Sequence, residues 1–531
     1  MYRECTDDVP IEKYNMSEPI ILTIDYGTQS VRAIAFNQSG ELVAKAQTLL
    51  NDYTHPEPGW MEHDVEGFWQ IMADTCQTLW AESSVRPEQV QALVVTTQRA
   101  TVINLDAAGR PLRPAIIWTD QRQAKTGAKL PLRWRLLFKL LRVEDTISAF
   151  EREAEINWIA QNQPDVWRDT AHFLLLSGYL NYRLTGEYID GTGSQVGYLP
   201  FDYKHQAWCK PGDWQWHVMQ ISLDKLPQLV DSGEKIGEVT AAASLATGLL
   251  KGTAVFAGAS DKACEVLGAG CLTPTTASVS CGTTATINTT YEHYLEARPS
   301  IPPYPAAIPG HFNCEVQVFR GYWMVSWFKK EFGHPERQKA ELNQLSEESY
   351  LDDLVRDIAP GSDGLVLQPL WNPGLGDLGP EARGSIIGFN DSHTRAHLYR
   401  ALLEGLAYAL REGKERIEKR SKIPIERLQV SGGGSQSDVV MQILADVMNL
   451  PAERPSTFEA SGLGAAIIGA VSLGYYPNFH AAAKAMTGVT KTFSPKPLNV
   501  ERYDELFRTV YTQQYERLKP LFIAIAKLRK N

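Results

Sequence analysis

The chain has 531 residues, of which 44% are hydrophobic, 21% charged and 10% aromatic, with 40 Gly and 30 Pro. That usage excludes a disordered, collagen-like or coiled-coil chain, and the length suggests about two to four domains with room for large cores. Lys and Arg total 52 against 62 Asp and Glu, a net charge of -10, so no global field draws the chain onto nucleic acid or anionic lipid.

The seven cysteines, at positions 5, 76, 209, 264, 271, 281 and 314, form no CxxC pair and no metal-ligand spacing. This points to a reduced, cytoplasmic compartment rather than a disulfide framework. Eleven histidines show no HExxH or HxH clustering, so a transition-metal site has no support. Residues 1–18 are polar and acidic with no apolar core and read as a loose tail, not a signal peptide.

From Ile20 the segments IILTIDY, VRAIAFN and ELVAKAQ, joined by turns of Gly, Asn and Ser, predict three strands in an antiparallel meander. ALVVTTQ and AIIW follow as buried strands. Leu132 to Arg142 then places Trp134, Leu137, Phe138 and Leu141 at helical spacing with four basic residues between them. It reads as a helix packed on its own domain, with contact between two copies of the chain, a homodimer, or with a membrane surface as alternatives. TAVFAG is the next buried strand and leads into a helix that Asp261 opens. TTASVS, a tight CGTT and ATINTT then repeat the strand-turn-strand device of the N-terminus about 250 residues on, which implies two related halves. The run from Arg298 to Pro309 is Pro-rich and predicts a loop. GLVLQPL and LQVSGG are further buried strands, and His397–Lys419 and Ser437–Asn449 have helical periodicity. Gly462 to Tyr476 is the most apolar stretch, but it is too short and too rich in Gly and Ala for a spanning helix of about 20 residues, so it reads as a tightly packed core helix and no membrane span is expected. The seam between the halves falls near Gly252 to Gly258, and with no low-complexity linker they are expected to face each other across a ligand cleft.

Four constellations carry chemistry. Asp25-Tyr26-Gly27-Thr28-Gln29-Ser30-Val31-Arg32 ends an apolar strand in a turn suited to a polyphosphate. Gly27 lets backbone approach oxygen, Thr28 and Ser30 add hydroxyl donors, and Asp25 can hold the waters around a magnesium ion. A plain hairpin turn would need the same residue types. Ser280-Cys281-Gly282-Thr283-Thr284 repeats the device, and two such hairpins make a phosphate clamp. Val430 to Ser437 runs from a strand through Gly432-Gly433-Gly434 into a helix, where backbone can lie flat against a nucleotide; a simple turn is the alternative. It has neither P-loop nor GxGxxG spacing. Gly258-Ala259-Ser260-Asp261-Lys262 sets a carboxylate at a helix start, where Asp261 would serve as a cap, a role compatible with catalysis.

Together these residues resemble the FGGY carbohydrate kinases, the family of glycerol kinase, xylulokinase and ribulokinase. The resemblance spans Ile20 to Phe522 and includes Asp25-Tyr26-Gly27-Thr28, Pro58-Gly59-Trp60-Met61-Glu62, Trp118-Thr119-Asp120-Gln121-Arg122, Arg183-Leu184-Thr185-Gly186, Asp261, Cys281-Gly282-Thr283-Thr284 and Gly432-Gly433-Gly434. Gly384 to Glu404 nearly matches the family's C-terminal signature. The resemblance implies an α/β fold of two actin-like (ribonuclease H-like) domains flanking a catalytic cleft, with a sugar-binding domain over 19–256 and an ATP-binding domain over 257–531. It implies transfer of the γ-phosphoryl of Mg-ATP to a hydroxyl of a small sugar or polyol, with Asp261 as catalytic base. Asp25, with Asp261, would organise magnesium through water. Gly27, Thr28, Gln29, Ser30, Arg32, Gly282, Thr283 and Thr284 would face the phosphates, with Gly432, Gly433, Gly434 and Ser437 on the nucleotide. Gln98, Arg99, Asp120, Asp261 and Lys262 would bind the acceptor.

The match thins at the acceptor. Gln98-Arg99-Ala100 stands where glycerol kinases carry Gln-Arg-Glu and xylulokinases Gln-Met-His, and Lys262 replaces the Gln after the base in glycerol kinases. Glutamates occupy positions 151, 153 and 155, where xylulokinases have a Pro and a Lys. A ketopentose or short polyol is the expected acceptor. Arg99 and Lys262 make a sugar acid the alternative substrate. In another class, a non-catalytic actin-like ATP-binding protein or a sugar-sensing regulator would keep the phosphate hairpins but not need Asp261.

Overall fold

The computed structural model describes residues 18–528 apart from 129, 300, 344–346, 372–377 and 380. The expected tail, but for Glu18, and Ser300 of the Pro-rich loop lie outside the described residues. The elements that build the site are, in chain order, β1 (Ile20–Tyr26), β2 (Ser30–Phe36), β3 (Leu42–Leu49), α1 (Val65–Glu82), β4 (Val90–Thr97), α2 (Leu132–Leu141), α3 (Glu155–Asn162), β5 (Lys235–Glu238), β6 (Ala254–Phe256) and α4 (Asp261–Gly268). They continue as β7 (Thr276–Cys281), β8 (Ala285–Tyr291), β9 (Phe312–Val318), α5 (Arg395–Ser421), β10 (Arg427–Ser431), α6 (Asp438–Met448), β11 (Ala452–Pro455), α7 (Ala460–Ser472) and β12 (Val489–Phe493).

The chain forms two compact units. The first takes the sequence up to Gly268 together with Tyr304–His311 and Glu459–Met486. The second takes Ala269–Pro303, Phe312–Phe458 and Thr487 onward.

In unit 1 a six-stranded sheet runs β5-β6-β4-β1-β2-β3. The hairpins β1–β2 and β2–β3 are antiparallel, β1–β4 and β4–β6 are parallel, and β5 closes the edge antiparallel. The apolar run IILTIDY is buried along its whole length, as a strand covered on both faces must be. One face sends Leu22, Ile24 and Tyr26 into a core with Phe68, Trp69 and Met72 of α1. The other is covered by α7, the tightly packed helix expected from its composition. Gly462 lies against Ile34 and Gly469 against Ile21. A Cβ on Gly464 would run into the Cys264 carbonyl of α4, and one on Gly268 into the Ala460 carbonyl, so both positions need glycine for α4 and α7 to meet. Burying Ile467 and Ile468 completely contributes about 1.5–3 kcal/mol each.

In unit 2 six neighbouring strands of a seven-stranded sheet repeat the plan as β9-β8-β7-β10-β11-β12. Again two antiparallel pairings lead to two parallel ones and an antiparallel edge strand. Its core joins Val279, Ile287 and Val430 of the sheet to Leu402 and Leu406 of α5 and Leu444 of α6. The two related halves read from the hairpins are thus present as one six-strand order found in both sheets.

The basic segment is the helix α2, docked on unit 1 through buried Phe138, which meets Trp214 edge-on at 5.7 Å. Leu132, Leu136 and Leu140 remain exposed, and so do Leu137 and Leu141 of the face expected to pack, on which Phe138 is the one buried residue. Among the described residues no helix is long and apolar enough to cross a membrane.

Candidate active site

In unit 1 the C-terminal ends of the parallel strands β1, β4 and β6 lie side by side, the edge where ligands bind in sheets of this kind. Each end delivers a sequence-predicted residue set: Asp25 to Arg32 from β1, Gln98 and Arg99 from β4, and Asp261 from the segment after β6. Thr96 Oγ1 donates to the Ala259 carbonyl at 2.8 Å, and Thr97 bridges to Ser260, so β4 and the start of α4 are tied together.

Asp25 and Arg32 are cross-strand partners, and between them the Gly27 N–H donates to the Ser30 carbonyl at 3.0 Å. Thr28 Oγ1 donates to Gln98 Oε1 at 2.8 Å and accepts from Trp118 Nε1–H at 2.8 Å. Tyr53 donates to the Thr28 carbonyl at 2.6 Å. The turn is therefore fastened to β4 and to the Trp118 segment, while Gln29 is exposed and Ser30 is buried.

Arg32 Nη1 lies 2.9 Å from Asp25 Oδ2. Burial pushes Asp25 up to about 7; Arg32 pulls it back, while Asp261, Glu459 and Glu265 push it further up. Asp261 is the first residue of α4, and its Oδ1 accepts the Lys262 N–H at 2.7 Å. Ser260 Oγ accepts the Ala263 N–H at 3.4 Å, so the cap position expected of Asp261 is held by the residue before it. Burial also raises the Asp261 carboxyl, against the pull of Lys262 and Arg99. Asp261 adds to the upward push on Asp25, and two neighbouring carboxylates of this kind offer the hard oxygen donors that a magnesium ion prefers.

Among the residues expected to bind the acceptor, Arg99 stacks its guanidinium over the Tyr304 ring at 4.6 Å. Ala100 adopts a left-handed φ of 51° and donates its N–H to the Val196 carbonyl at 3.1 Å. Lys262 Nζ meets Glu265 Oε2 at 2.5 Å. Asp120 turns elsewhere. Its carboxylate accepts the Met61 N–H at 2.6 Å and three N–H groups of Arg122 at 2.8 Å. Arg122 is itself held between the Trp60 and Trp158 rings at 4.1 and 4.6 Å.

In unit 2 the ends of β7 and β10, parallel neighbours, carry Gly282-Thr283-Thr284 and Gly432-Gly433-Gly434. The Gly282 carbonyl accepts the Tyr322 N–H at 3.0 Å, and Thr284 Oγ1 donates to the Phe319 carbonyl at 3.2 Å. Gly432 has a φ of +80° and abuts the Cys281 backbone, and Gly434 abuts the Tyr322 ring. A Cβ on Gly433 would meet nothing within 4 Å, so this glycine alone of the three faces open space. Ser437 caps α6 by accepting the Val440 N–H at 3.1 Å and donates to Asp352 at 2.6 Å.

Sequence reasoning did not single out Tyr304, Asp352, Lys45 or Glu459. Tyr304 sits in the Pro-rich run, whose only local signal is irregular backbone. Glu459 Oε1 lies 3.0 Å from Lys45 Nζ and its Oε2 3.4 Å from Arg32 Nη1.

Residues 20–268 match the N-terminal domain, and 277–473 the C-terminal domain, of the FGGY family of carbohydrate kinases. An uncharacterized sugar kinase of Escherichia coli (strain K12), YgcE, is 30% identical over 499 residues, 93% of each chain. The xylulose kinase of Lactococcus lactis is 28% identical over 93% of this chain and 96% of its own. The crystal structure of xylulose kinase from Rhodospirillum rubrum superposes with a TM-score of 0.76 at 26% identity, covering 95% of this chain and 99% of that one. Paired actin-like domains that move phosphate onto an alcohol are thus what this fold and these hairpins define. The chain belongs to the FGGY family of carbohydrate kinases and is an ATP-dependent phosphotransferase.

Proposed function

We propose that the acceptor is a ketopentose or short polyol, as for xylulose kinases, and that Asp261 is the base. The observation that carries this reading is the half-buried Asp261 carboxylate at the strand-end edge of unit 1, within reach of the Arg99 charge. As an acceptor hydroxyl attacks the γ-phosphorus, an O–P bond forms, the bond to the ADP oxygen breaks, and the hydroxyl proton passes to Asp261. The transition state of such a transfer is loose, so the proton leaves late and aiming the hydroxyl matters as much as basicity. A raised carboxyl is a stronger base for that step once ionised.

Magnesium, when bound, would neutralise charge on the phosphate oxygens, with Asp25 and Asp261 holding its waters. Gly27, Thr28, Gln29, Ser30 and Arg32 supply phosphate contacts from unit 1. In unit 2, Gly282, Thr283 and Thr284 are the proposed phosphate residues, and Gly432 to Gly434 and Ser437 the proposed nucleotide residues. Ser437 would act through the helix start that it caps. Gln98 and Arg99 orient the acceptor, and Asp120 acts through Arg122 and Met61 on the wall behind. The enzyme would work in the cytoplasm; all six described cysteines are buried, in keeping with a reducing compartment.

A sugar acid is the second reading, favoured by the Arg99 cation whose charge reaches Asp261. Lys262 contributes less to it, because it is paired with Glu265. The test is ADP release from Mg-ATP across ketopentoses, pentitols, tetritols, glycerol and sugar acids, with Asp261→Ala alongside. Turnover of a neutral ketopentose or polyol that needs Asp261 supports the proposal; turnover of sugar acids alone replaces it with the second reading. ATP binding with no turnover of any panel member leads to the regulator.

A further inference from the structure

The sheet face that carries Asp25 also carries a row of charges whose far end has no part in the roles above. Asp25 lies opposite Arg32, Arg32 lies opposite Gln47 of β3, and Lys45 stands two residues along β3 on the same face. α7 covers this face, and the contact of Gly462 with Ile34 and Thr23 brings its N-terminus down beside the row. Glu459, just before α7, makes no side-chain cap bond to its own helix. Its side chain is only 13% exposed and reaches Arg32 and Lys45 instead. Four charges therefore alternate in sign: Asp25, Arg32, Glu459, Lys45. One guanidinium nitrogen, Arg32 Nη1, stands between two carboxylates, 2.9 Å from Asp25 and 3.4 Å from Glu459.

We propose that Glu459 is a positioning residue for phosphoryl transfer: backed by Lys45, it holds the Arg32 guanidinium off a two-point pairing with Asp25 and so keeps the Asp25 carboxylate open on its ligand side. An arginine offered one carboxylate favours two parallel N–H···O bonds, and such a fork would take both Asp25 oxygens. With Glu459 in place Arg32 gives Asp25 a single hydrogen bond, from Nη1 to Oδ2. The neighbouring carboxylates Asp261 and Glu265 belong to α4, so neither anchors Arg32 from the α7 side. This inference rests on the kinase mechanism proposed above, in which Asp25 serves the Mg-ATP phosphates.

The experiment compares the full chain with Glu459→Gln, Glu459→Asp and Lys45→Met. For Glu459→Gln, kcat falls at least about tenfold, while acceptor KM stays within about twofold, the pattern of a lost transition-state contribution. Calorimetric binding of a non-hydrolysable ATP analogue loses its magnesium-dependent gain, and metal-free binding is unchanged. Glu459→Asp recovers part of both losses, and Lys45→Met falls between wild type and Glu459→Gln. The inference is overturned if Glu459→Gln keeps wild-type kcat and magnesium-dependent binding. It is equally overturned if the loss appears alike in metal-free binding and melting temperature, or if Glu459→Asp recovers nothing. A wild-type chain that turns over no acceptor would count against the proposed substrate class, and the calorimetric comparison would then decide Glu459 by itself.

Discussion

Asp25 and Arg32 face each other directly across the β1–β2 hairpin, and the Arg32 guanidinium, 2.9 Å from the Asp25 carboxyl, opposes the upward push of burial on it. Arg32→Met removes that pull and leaves the upward pushes of burial, Asp261, Glu459 and Glu265. Asp25, already at about 7, then rises further and is mostly protonated at neutral pH. The expected result is a kcat lowered about ten- to a hundredfold at pH 7, with the loss shrinking as pH rises and Asp25 ionises. A pH–rate profile checks it, and an acid limb in the same place as wild type contradicts it.

Asp261→Asn keeps the shape of the side chain and an oxygen for the Lys262 N–H, which Asp261 now receives at 2.7 Å. What it loses is the ability to take a proton. A drop in kcat of about 10²–10⁴ is expected, with acceptor KM and melting temperature little changed. ADP release under saturating acceptor measures it, and full turnover by a folded variant would remove Asp261 from the base role.

The hairpins and the glycine run were legible because their signals are local: an apolar strand, then Gly and small hydroxyl residues, then another strand or helix. Asp261 was legible for the same reason, as a carboxylate placed just after a buried strand. Glu459 was not, because its partner Lys45 lies 414 residues away in sequence. The small-residue pattern of α7 announces close packing but not which sheet it covers. Asp120 shows the converse. Its motif points toward the acceptor, yet Arg122, two residues on, takes its carboxylate, and only side-chain geometry reveals that.

Gly464→Ala tests the contact of α7 with α4. The added methyl would collide with the backbone carbonyl of Cys264, not with a side chain that can swing aside. Overpacking of a well-packed core costs about 1–3 kcal/mol, and with backbone on both sides of the contact the expected cost lies at or above the top of that range. Because α4 begins with Asp261, activity should fall together with the melting temperature, and denaturant titration gives the magnitude. A variant as stable as wild type would mean that the two helices can separate freely.

Glu155 opens α3, and burial pushes its carboxyl up to about 8, with Asp120 and Glu153 adding to the rise and Arg122 opposing it. Its folded value is above the ordinary 4.5, so the folded state holds the proton more tightly than the unfolded chain. The associated stability is complete below about pH 4.5 and is lost as pH rises through about 8. At about 1.4 kcal/mol per pH unit, discounted for the partial exposure of the side chain, the loss amounts to a few kcal/mol. Glu155→Gln resembles the protonated form at every pH and escapes that loss. The variant and wild type should melt together near pH 5, and the variant should melt higher at pH 8.5. Thermal melts at the two pH values decide the matter: parallel curves would mean that Glu155 ionises as readily in the folded protein as in water.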